Sequence, residues 1–513
     1  MAAGLGGVLI AAMVAGLNNR VPGLTMVDIQ GALGFAKDDA TWLTTAYTAG
    51  ELAAMPFATW FAITLSLRRF HLMMLGSSMV LAAILPLISS FELVLVLRAL
   101  QGMVSGALIP LLMMSALRFL PLPIRLHGLA LYALTATFSP NVALWLGALW
   151  VDRLEDWRWA YWHVIPLGAV AAALVTWGIP KMPPALGRFK EGNWLGMALG
   201  IPGLALLVVG IDQGVRLDWL NSTTIRASLL AGLILVGLFL YTEWRHPAPF
   251  IKLQLLSRRN LGLGFSIFVF LLMAMTASVS VPVSVLASIQ GFRLEQSYPL
   301  GLMVGVPQLI LGPCVALLLY RKWIDARMTF SVGLMLIAAG LWSGSYVTSE
   351  WMVDQLVVAQ ILQMLGQPLA VISMLFLATS VVQPFEGAYV SGIVNTLRVI
   401  GTLLGGALVS NLTVVRGQHH RESLLSYAGQ VGSNLPHEPA AGVLASQVAQ
   451  QAGVLAAADI YRIFAVIAVA LIPFVLCLKY IPAPVVPSGP APAPAPAGPN
   501  PSTAVPSAPP AHG

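Results

Sequence analysis

Charge is what this chain has least of. Asp, Glu, Lys and Arg make up 9% of its 513 residues, where a soluble domain carries roughly a quarter. No long polar block precedes the C-terminal tail, so there is no room for a separate soluble catalytic domain. Cysteine is nearly absent. Cys314 and Cys477 both sit in apolar runs, which excludes a disulfide framework and a thiol-bound metal cluster. His419 and His420 have no carboxylate or cysteine at metal spacing, read as lying in a flexible loop, so no metal site is expected. No glycine run ends in Lys-Ser/Thr, so no ATP motor is encoded. No cofactor is implied. Met1 to Leu17 lacks both a basic n-region and a small-residue cleavage site, so a cleaved signal peptide is not expected.

What fills the chain instead is apolar sequence. Hydrophobic residues reach 58% and the mean hydropathy is +0.83. A bilayer core about 30 Å thick needs about 20 apolar residues per helical crossing. Fourteen stretches qualify: 4–29, 40–64, 72–89, 92–117, 128–150, 159–179, 194–212, 225–242, 261–288, 299–319, 329–347, 352–380, 388–413 and 461–479. The fold class is therefore an all-α integral membrane protein. The tail beyond residue 481 is a run of Pro, Ala and Ser that cannot bury a core and is expected to be disordered.

The net charge of +7 is an orientation signal rather than a nucleic-acid signal. An even span number puts both termini on one side. The loops there hold 15 basic residues, among them Arg68, Arg69, Arg118, Arg188, Arg258 and Lys322, against Glu191, Glu243, Asp325 and Glu386. The opposite loops hold 9 and are richer in acids. Basic loops stay in the cytoplasm, so both termini are expected there.

The chain reads as two groups of six spans. Residues 1–180 form the first, 181–260 carry two linker spans and a basic loop, and 261–480 form the second, with an outer loop at 416–460 and the tail at 481–513. An amphipathic stretch is expected from 440 to 458. Gly128-Leu-Ala-Leu-Tyr132 with Gly147-Ala-Leu recurs 259 residues later as Gly387-Ala-Tyr-Val-Ser391 with Gly406-Ala-Leu. Span 5 thus matches the fifth span of the second group, although any two Gly/Ala-rich helices share such likeness. Duplicated six-helix halves are a transporter architecture.

Four charges lie inside spans, where each costs at least about 2.5 kcal/mol and so faces a cavity or a partner. Glu51 is the only mid-span carboxylate. It is a candidate for taking and releasing protons, or a structural partner for an arginine. Arg20 follows Asn18 and Asn19 and precedes Pro22, a polar patch that suits a cavity-lining helix. It would bind an anionic substrate or pair with Glu51, unless span 1 ends early and Arg20 snorkels outward. Arg98 shares a face with Gln101, beside the small-xxx-small pair Gly102 and Gly106. Arg398 follows Asn395 and precedes Gly401 and Gly405. For both arginines the plain alternative to substrate contact is interhelical hydrogen bonding.

Arg98-Ala-Leu-Gln101-Gly102-Met-Val-Ser-Gly106 resembles the R-x-x-Q-G-x-x-x-G span-4 motif of drug:proton antiporters in the major facilitator superfamily. Trp157-Arg-Trp-Ala-Tyr-Trp-His-Val-Ile-Pro166-Leu-Gly168 resembles the entry to span 6 of that family's fourteen-spanner, EmrB/QacA-like branch. Gly387 to Gly401 resembles its span-13 motif, and Gln451 to Asp459 the segment before its last span. The resemblance implies two six-helix bundles with two extra central helices, and alternating access with substrate out and protons in. It implies a proton-coupling role for Arg98. It also departs from the pattern. Asn18 stands where the family has an acidic residue, and Glu51 is a candidate to replace it. The loop after span 2, Thr59 to Arg69, lacks the usual Gly and Asp, and the span-5 motif is reduced to Ser139-Pro140-Asn141, whose Pro140 could still kink the helix.

The expected function is a proton-coupled, inner-membrane exporter of amphipathic small molecules, not an enzyme. Glu51 and Arg98 are assigned to proton coupling. Asn18, Asn19, Arg20, Gln101, Asn395 and Arg398 are assigned to the substrate cavity, and Gly102, Gly106, Pro140, Gly401 and Gly405 to helix packing and kinking. In Gram-negative bacteria the family often works with a periplasmic adaptor and an outer-membrane channel, and loop 416–460 is a candidate contact. Alternatives are an exporter of organic acids, fatty acids or a siderophore, or a non-transporting receptor or scaffold.

Overall fold

A computed structural model describes residues 2–432 and 441–483. From residue 484 on, the tail expected to be disordered lies outside the described residues, as does the middle of the expected outer loop. Every regular element among the described residues is helical. The first half holds α1 (Ala2–Leu24), the short α2 (Met26–Leu33), α3 (Lys37–Thr64), α4 (Leu67–Ile84), α5 (Phe91–Phe119), α6 (Leu122–Thr137), α7 (Ser139–Ala148), α8 (Trp159–Trp162) and α9 (Val164–Gly178). Next come α10 (Trp194–Asp212) and α11 (Thr223–Arg245). The second half holds α12 (Arg259–Gln290), α13 (Leu294–Gly305), α14 (Gln308–Leu319), α15 (Ala326–Gly344), α16 (Val353–Thr379), α17 (Gly387–Gly432) and α18 (Ala441–Leu476). We call the face bearing the loops 179–193, 245–259 and 379–387 the near face, and the opposite one the far face.

Twelve of these helical stretches are long and apolar enough to cross a membrane, and α6 with α7, bent by 45°, makes a thirteenth. The expected count of fourteen is not reached by that measure. At the place of the second expected span stands α3, whose 28 residues run about 42 Å, but which carries Lys37, Asp38, Asp39 and Glu51. Lipid-facing side chains are large and apolar, as in Leu230, Ile310 and Val466, each at least 60% exposed. The chain is a multi-pass membrane protein.

Glycine sets the closest helix contacts. A Cβ at Gly50 would stand 2.1 Å from the Ala99 carbonyl oxygen, one at Gly102 2.0 Å from that of Tyr47, and one at Gly106 2.3 Å from that of Glu51. Only residues without a Cβ allow α3 and α5 this approach. Gly401 and Gly405 play the same part between α17 and α12, where a Cβ would meet the Val269 and Met273 carbonyls at 2.8 and 2.9 Å. The break at Phe138 precedes Pro140, which cannot donate into the helix.

Residues 416–432 and 441–460 are helical rather than loop. α17 continues as helix to Gly432 and α18 starts at Ala441, so most of the segment 416–460 is a helical hairpin extending beyond the far face. His420 correspondingly has a partner: its Nε2 lies 2.7 Å from Asp459 Oδ2, which Arg416 also reaches at 2.6 Å. No group of three metal-ligating side chains occurs among the described residues.

Candidate transport cavity

A cavity of about 810 Å³ lies between the helices, with α1, α3 and α7 on one side, α12, α13 and α17 on the other, and the end of α10 at its margin. Its walls follow from helical spacing. Gly16, Asn19, Arg20 and Gly23 form one stripe of α1, and Thr44, Thr48 and Glu51 one stripe of α3. Across from them α12 presents Leu272, Met275, Val279 and Val283, interleaved with Thr276, Ser280 and Ser284. α1 and α3 thus present polar and charged groups and α12 apolar ones with hydroxyls, a combination suited to an amphipathic molecule.

Three ionisable groups face the middle of the chamber, Arg20 and Glu51 from α1 and α3 and Arg398 from α17 on the other side. Glu51 feels Arg398 and Arg20 electrostatically, yet makes no hydrogen bond or ion pair with either. The Arg20 side chain likewise has no hydrogen-bond partner among the described residues. It does not snorkel to the surface but lines the chamber. Arg398 is anchored, donating from Nη1 to Thr135 Oγ1 at 3.3 Å and to the Thr135 carbonyl at 3.4 Å. Two guanidiniums against one carboxylate give the middle of the chamber a formal charge of +1.

Other expected cavity residues stand behind the wall. Arg98 is fully buried and lies off the cavity. Pro22 has no N–H, so the carbonyl of Asn18, four residues earlier, lacks its helical donor. Arg98 Nη1 fills it at 3.1 Å and also donates to Gln101 Oε1 at 2.7 Å. Its Nη2 donates to Asn19 Oδ1 at 3.1 Å, and the Tyr47 ring lies 4.7 Å away. Among the described residues no carboxylate pairs with it. Asn18, 1% exposed, spends its amide on Ser78 Oγ and Ser105 Oγ at 3.2 and 3.0 Å. Asn395 accepts from the Tyr132 hydroxyl at 3.0 Å. Thus Asn19, Arg20, Glu51, Pro140 and Arg398 face the chamber, whereas Asn18, Arg98, Gln101 and Asn395 hold its walls together.

Toward the near face the chamber is shut. Ser391 Oγ donates to the Pro110 carbonyl at 2.5 Å, and Gly392 lets α17 lie against the Pro56 carbonyl of α3. Toward the far face the margin carries groups that a span-by-span reading leaves out. Asp212, at the end of α10, hydrogen-bonds Thr45 and lines the chamber. Arg293 donates to Asp152 at 2.6 Å and to Asp28 at 3.0 Å, joining the two sides. Those hydrogen bonds, Asp152 first, raise the Arg293 pKa and keep it charged. All four residues sit at helix ends, where a charge reads as an ordinary interfacial residue. The signal available in the sequence was only that four charges of both signs cluster at span ends on one face.

Comparison with known proteins accords with this geometry. Residues 8–406 match the Major Facilitator Superfamily. The colistin resistance protein EmrB of Acinetobacter baumannii is 24% identical over 412 residues, 79% of each chain. The fatty acid resistance protein FarB of Neisseria gonorrhoeae is 21% identical, over 92% of this chain and 94% of its own. The multidrug export protein EmrB of Escherichia coli K12 shows the same identity and coverage. Among solved structures, the human organic anion transporter TETRAN superposes with a TM-score of 0.60 at 12% identity, covering 92% of this chain and 99% of its own. The proton:xylose symporter XylE gives 0.53 at 12%, covering 93% and 96%; at such identity both speak to fold alone. The chain belongs to the Major Facilitator Superfamily, is similar in sequence to its EmrB-type members, and is a secondary transporter rather than an enzyme.

Proposed function

We propose that this protein exports amphipathic small molecules, anionic ones preferentially, by alternating access coupled to inward proton movement. The observation that carries the reading is Glu51, an unpaired carboxylate between Arg20 and Arg398 on the wall of the central chamber. A carboxylate without a fixed partner can exchange its proton for a contact with a guanidinium. An arriving anionic head group competes for the same two arginines. Proton and substrate then alternate at one place, which is the requirement for antiport. The names of the relatives, which include fatty acid resistance and multidrug export, support export as the direction.

In this reading residues 1–180 and 261–480 are the two rocking halves and residues 181–260 an accessory pair of helices. The basic near face is cytoplasmic in a bacterial inner membrane, with both termini there. Substrate leaves through the far margin. The helical hairpin of α17 and α18 beyond that face is the surface that would meet a periplasmic adaptor and, through it, an outer-membrane channel.

The test is transport in proteoliposomes with an imposed pH gradient. Glu51→Gln should abolish proton-driven export of laurate at normal protein levels, and retained export would remove Glu51 from the mechanism. Arg20→Ala should weaken laurate export more than that of dodecyltrimethylammonium. An equal loss on both makes Arg20 structural. Wild-type protein that moves neither compound under any gradient would point to the receptor or scaffold alternative.

A further inference from the structure

A second cavity, of about 490 Å³, lies on the near face, beyond the Ser391 and Gly392 contacts that shut the chamber. Its rim joins Trp60 of α3, Arg118 of α5, Arg188 of the turn Leu186–Lys190, and Phe385 and Tyr389 at the start of α17. No carboxylate lines it. The nearby Glu386 is spent, since both its oxygens accept from Arg258 at 2.6 and 2.7 Å. Neither Arg118 nor Arg188 makes an ion pair among the described residues; Arg188 lies 5.4 Å from the centroid of the Trp60 ring instead. Trp60 is 3% exposed and wedged edge-on against Phe250 at 5.0 Å and Trp194 at 5.8 Å, so this wall is rigid. Phe385, by contrast, is 72% exposed.

Along α17, Tyr389 of this pocket and Arg398 of the chamber are nine residues apart, about 13 Å. Along α3, Thr59 and Glu51 are eight apart, about 12 Å. The two cavities are therefore in line, separated by the seal around Ser391, Gly392 and Asn395. Two free guanidiniums beside aromatic faces, with no competing carboxylate, select an amphipathic anion.

We infer that this pocket is a separate binding site for an amphipathic anion, a carboxylate or phosphate head group with a hydrocarbon body. It rests on the export reading only in its role, as the place where cargo waits before the seal opens. The same chemistry is shared by cargo and by an anionic membrane lipid.

The test is equilibrium binding of radiolabelled laurate to the full-length protein in phosphatidylcholine nanodiscs, with empty nanodiscs as blank. The wild type should bind two laurates, the Arg118→Gln/Arg188→Gln double variant one, and the Arg118→Lys/Arg188→Lys control two. Dodecyltrimethylammonium binding should not change between them. Adding phosphatidylglycerol to the nanodiscs separates the sources. Displacement of one laurate from the wild type makes the resident occupant a lipid, and no displacement makes it cargo. Two laurates retained by the glutamine variant, or a single wild-type laurate that Arg20→Ala removes, would overturn the inference. Binding at equilibrium needs no gradient, so this outcome is independent of whether Glu51→Gln abolishes export.

Discussion

Adding one methyl group at Gly106 tests whether the α3–α5 contact positions the chamber's carboxylate. The Cβ of an alanine there would lie 2.3 Å from the Glu51 carbonyl oxygen and 2.9 Å from the Glu51 Cα. Ordinary contact begins near 3.4 Å, so α3 must retreat by about 1.1 Å. The obstructing atoms are backbone, and no rotamer change relieves them. α3 is also held on its other sides, by Gly392 at the Pro56 carbonyl and by Asp212 at Thr45. Overpacking of this kind costs about 1–3 kcal/mol. The atom displaced is the Cα that carries the carboxylate, while Arg20 and Arg398 stay on other helices. Gly106→Ala should therefore lower thermal stability in detergent and reduce laurate export by more than the lost folded protein explains. Gly76→Ala is the matched control, because a Cβ there meets nothing within 4 Å. It should be neutral or stabilising by up to about 1 kcal/mol. If scanning fluorimetry and proteoliposome export place Gly106→Ala beside Gly76→Ala, the contact does not set the position of Glu51.

Arg98→Ala should be among the most destabilising single changes outside the apolar core, because it strips donors from the Asn18 carbonyl, Gln101 and Asn19 at once. Each buried acceptor left unsatisfied costs about 1–3 kcal/mol, and a melting temperature equal to wild type would refute that network. Tyr132→Phe removes the bond to Asn395 in the near-face seal. It should raise the fraction of molecules open to that face, read as faster labelling of a cysteine introduced at chamber residue Thr402 by a membrane-impermeant reagent added on the near face, and unchanged labelling would place the seal elsewhere.

Much of this arrangement was legible in the chain, and the reasons differ by residue. Arg20, Glu51 and Arg398 were found because a charge inside an apolar run must face water or a partner, and all three line the chamber. The glycine pair on α5 was found from its spacing, and the structure supplies the carbonyls it accommodates. The depth of Arg98 was not legible from its own segment. It depends on Pro22 releasing a carbonyl on another helix, a signal present in the sequence but meaningful only once α1 and α5 are known to touch. Asp212 was missed because the end of a span is where charge is unremarkable. The far-face hairpin was misread because hydropathy drops after Val415 while helix-compatible residues continue through Gln, His, Arg, Glu and Leu, with no proline until Pro436. Polarity ended the membrane crossing there but not the helix.

Asn18 stands where the resembling family carries an acid, and its surroundings decide what a carboxylate there would do. Its amide donates to Ser78 and Ser105, and Gln101 Nε2 donates to its oxygen at 3.4 Å. Both serine hydroxyls can rotate to donate instead, and Gln101 needs no change. Arg98 of α5, which already donates to the Asn18 backbone carbonyl at 3.1 Å, gains an opposite charge beside it. The Asn18→Asp variant thus gives a buried cation a nearby counter-charge whose oxygens accept from the two serines and Gln101, and a buried charge left without a counter-charge is the costlier state. Its melting temperature should match or exceed wild type, whereas Asn18→Leu, which leaves two serines and a glutamine wanting, should fall. Yet the new carboxylate would sit behind the wall, at a position 1% exposed. It should therefore fail to restore proton-driven export to the Glu51→Gln variant. Rescue in the Asn18→Asp/Glu51→Gln double variant would mean that protons reach position 18 from the pathway, and that the carboxylate on α3 is not the only place where proton and cargo compete.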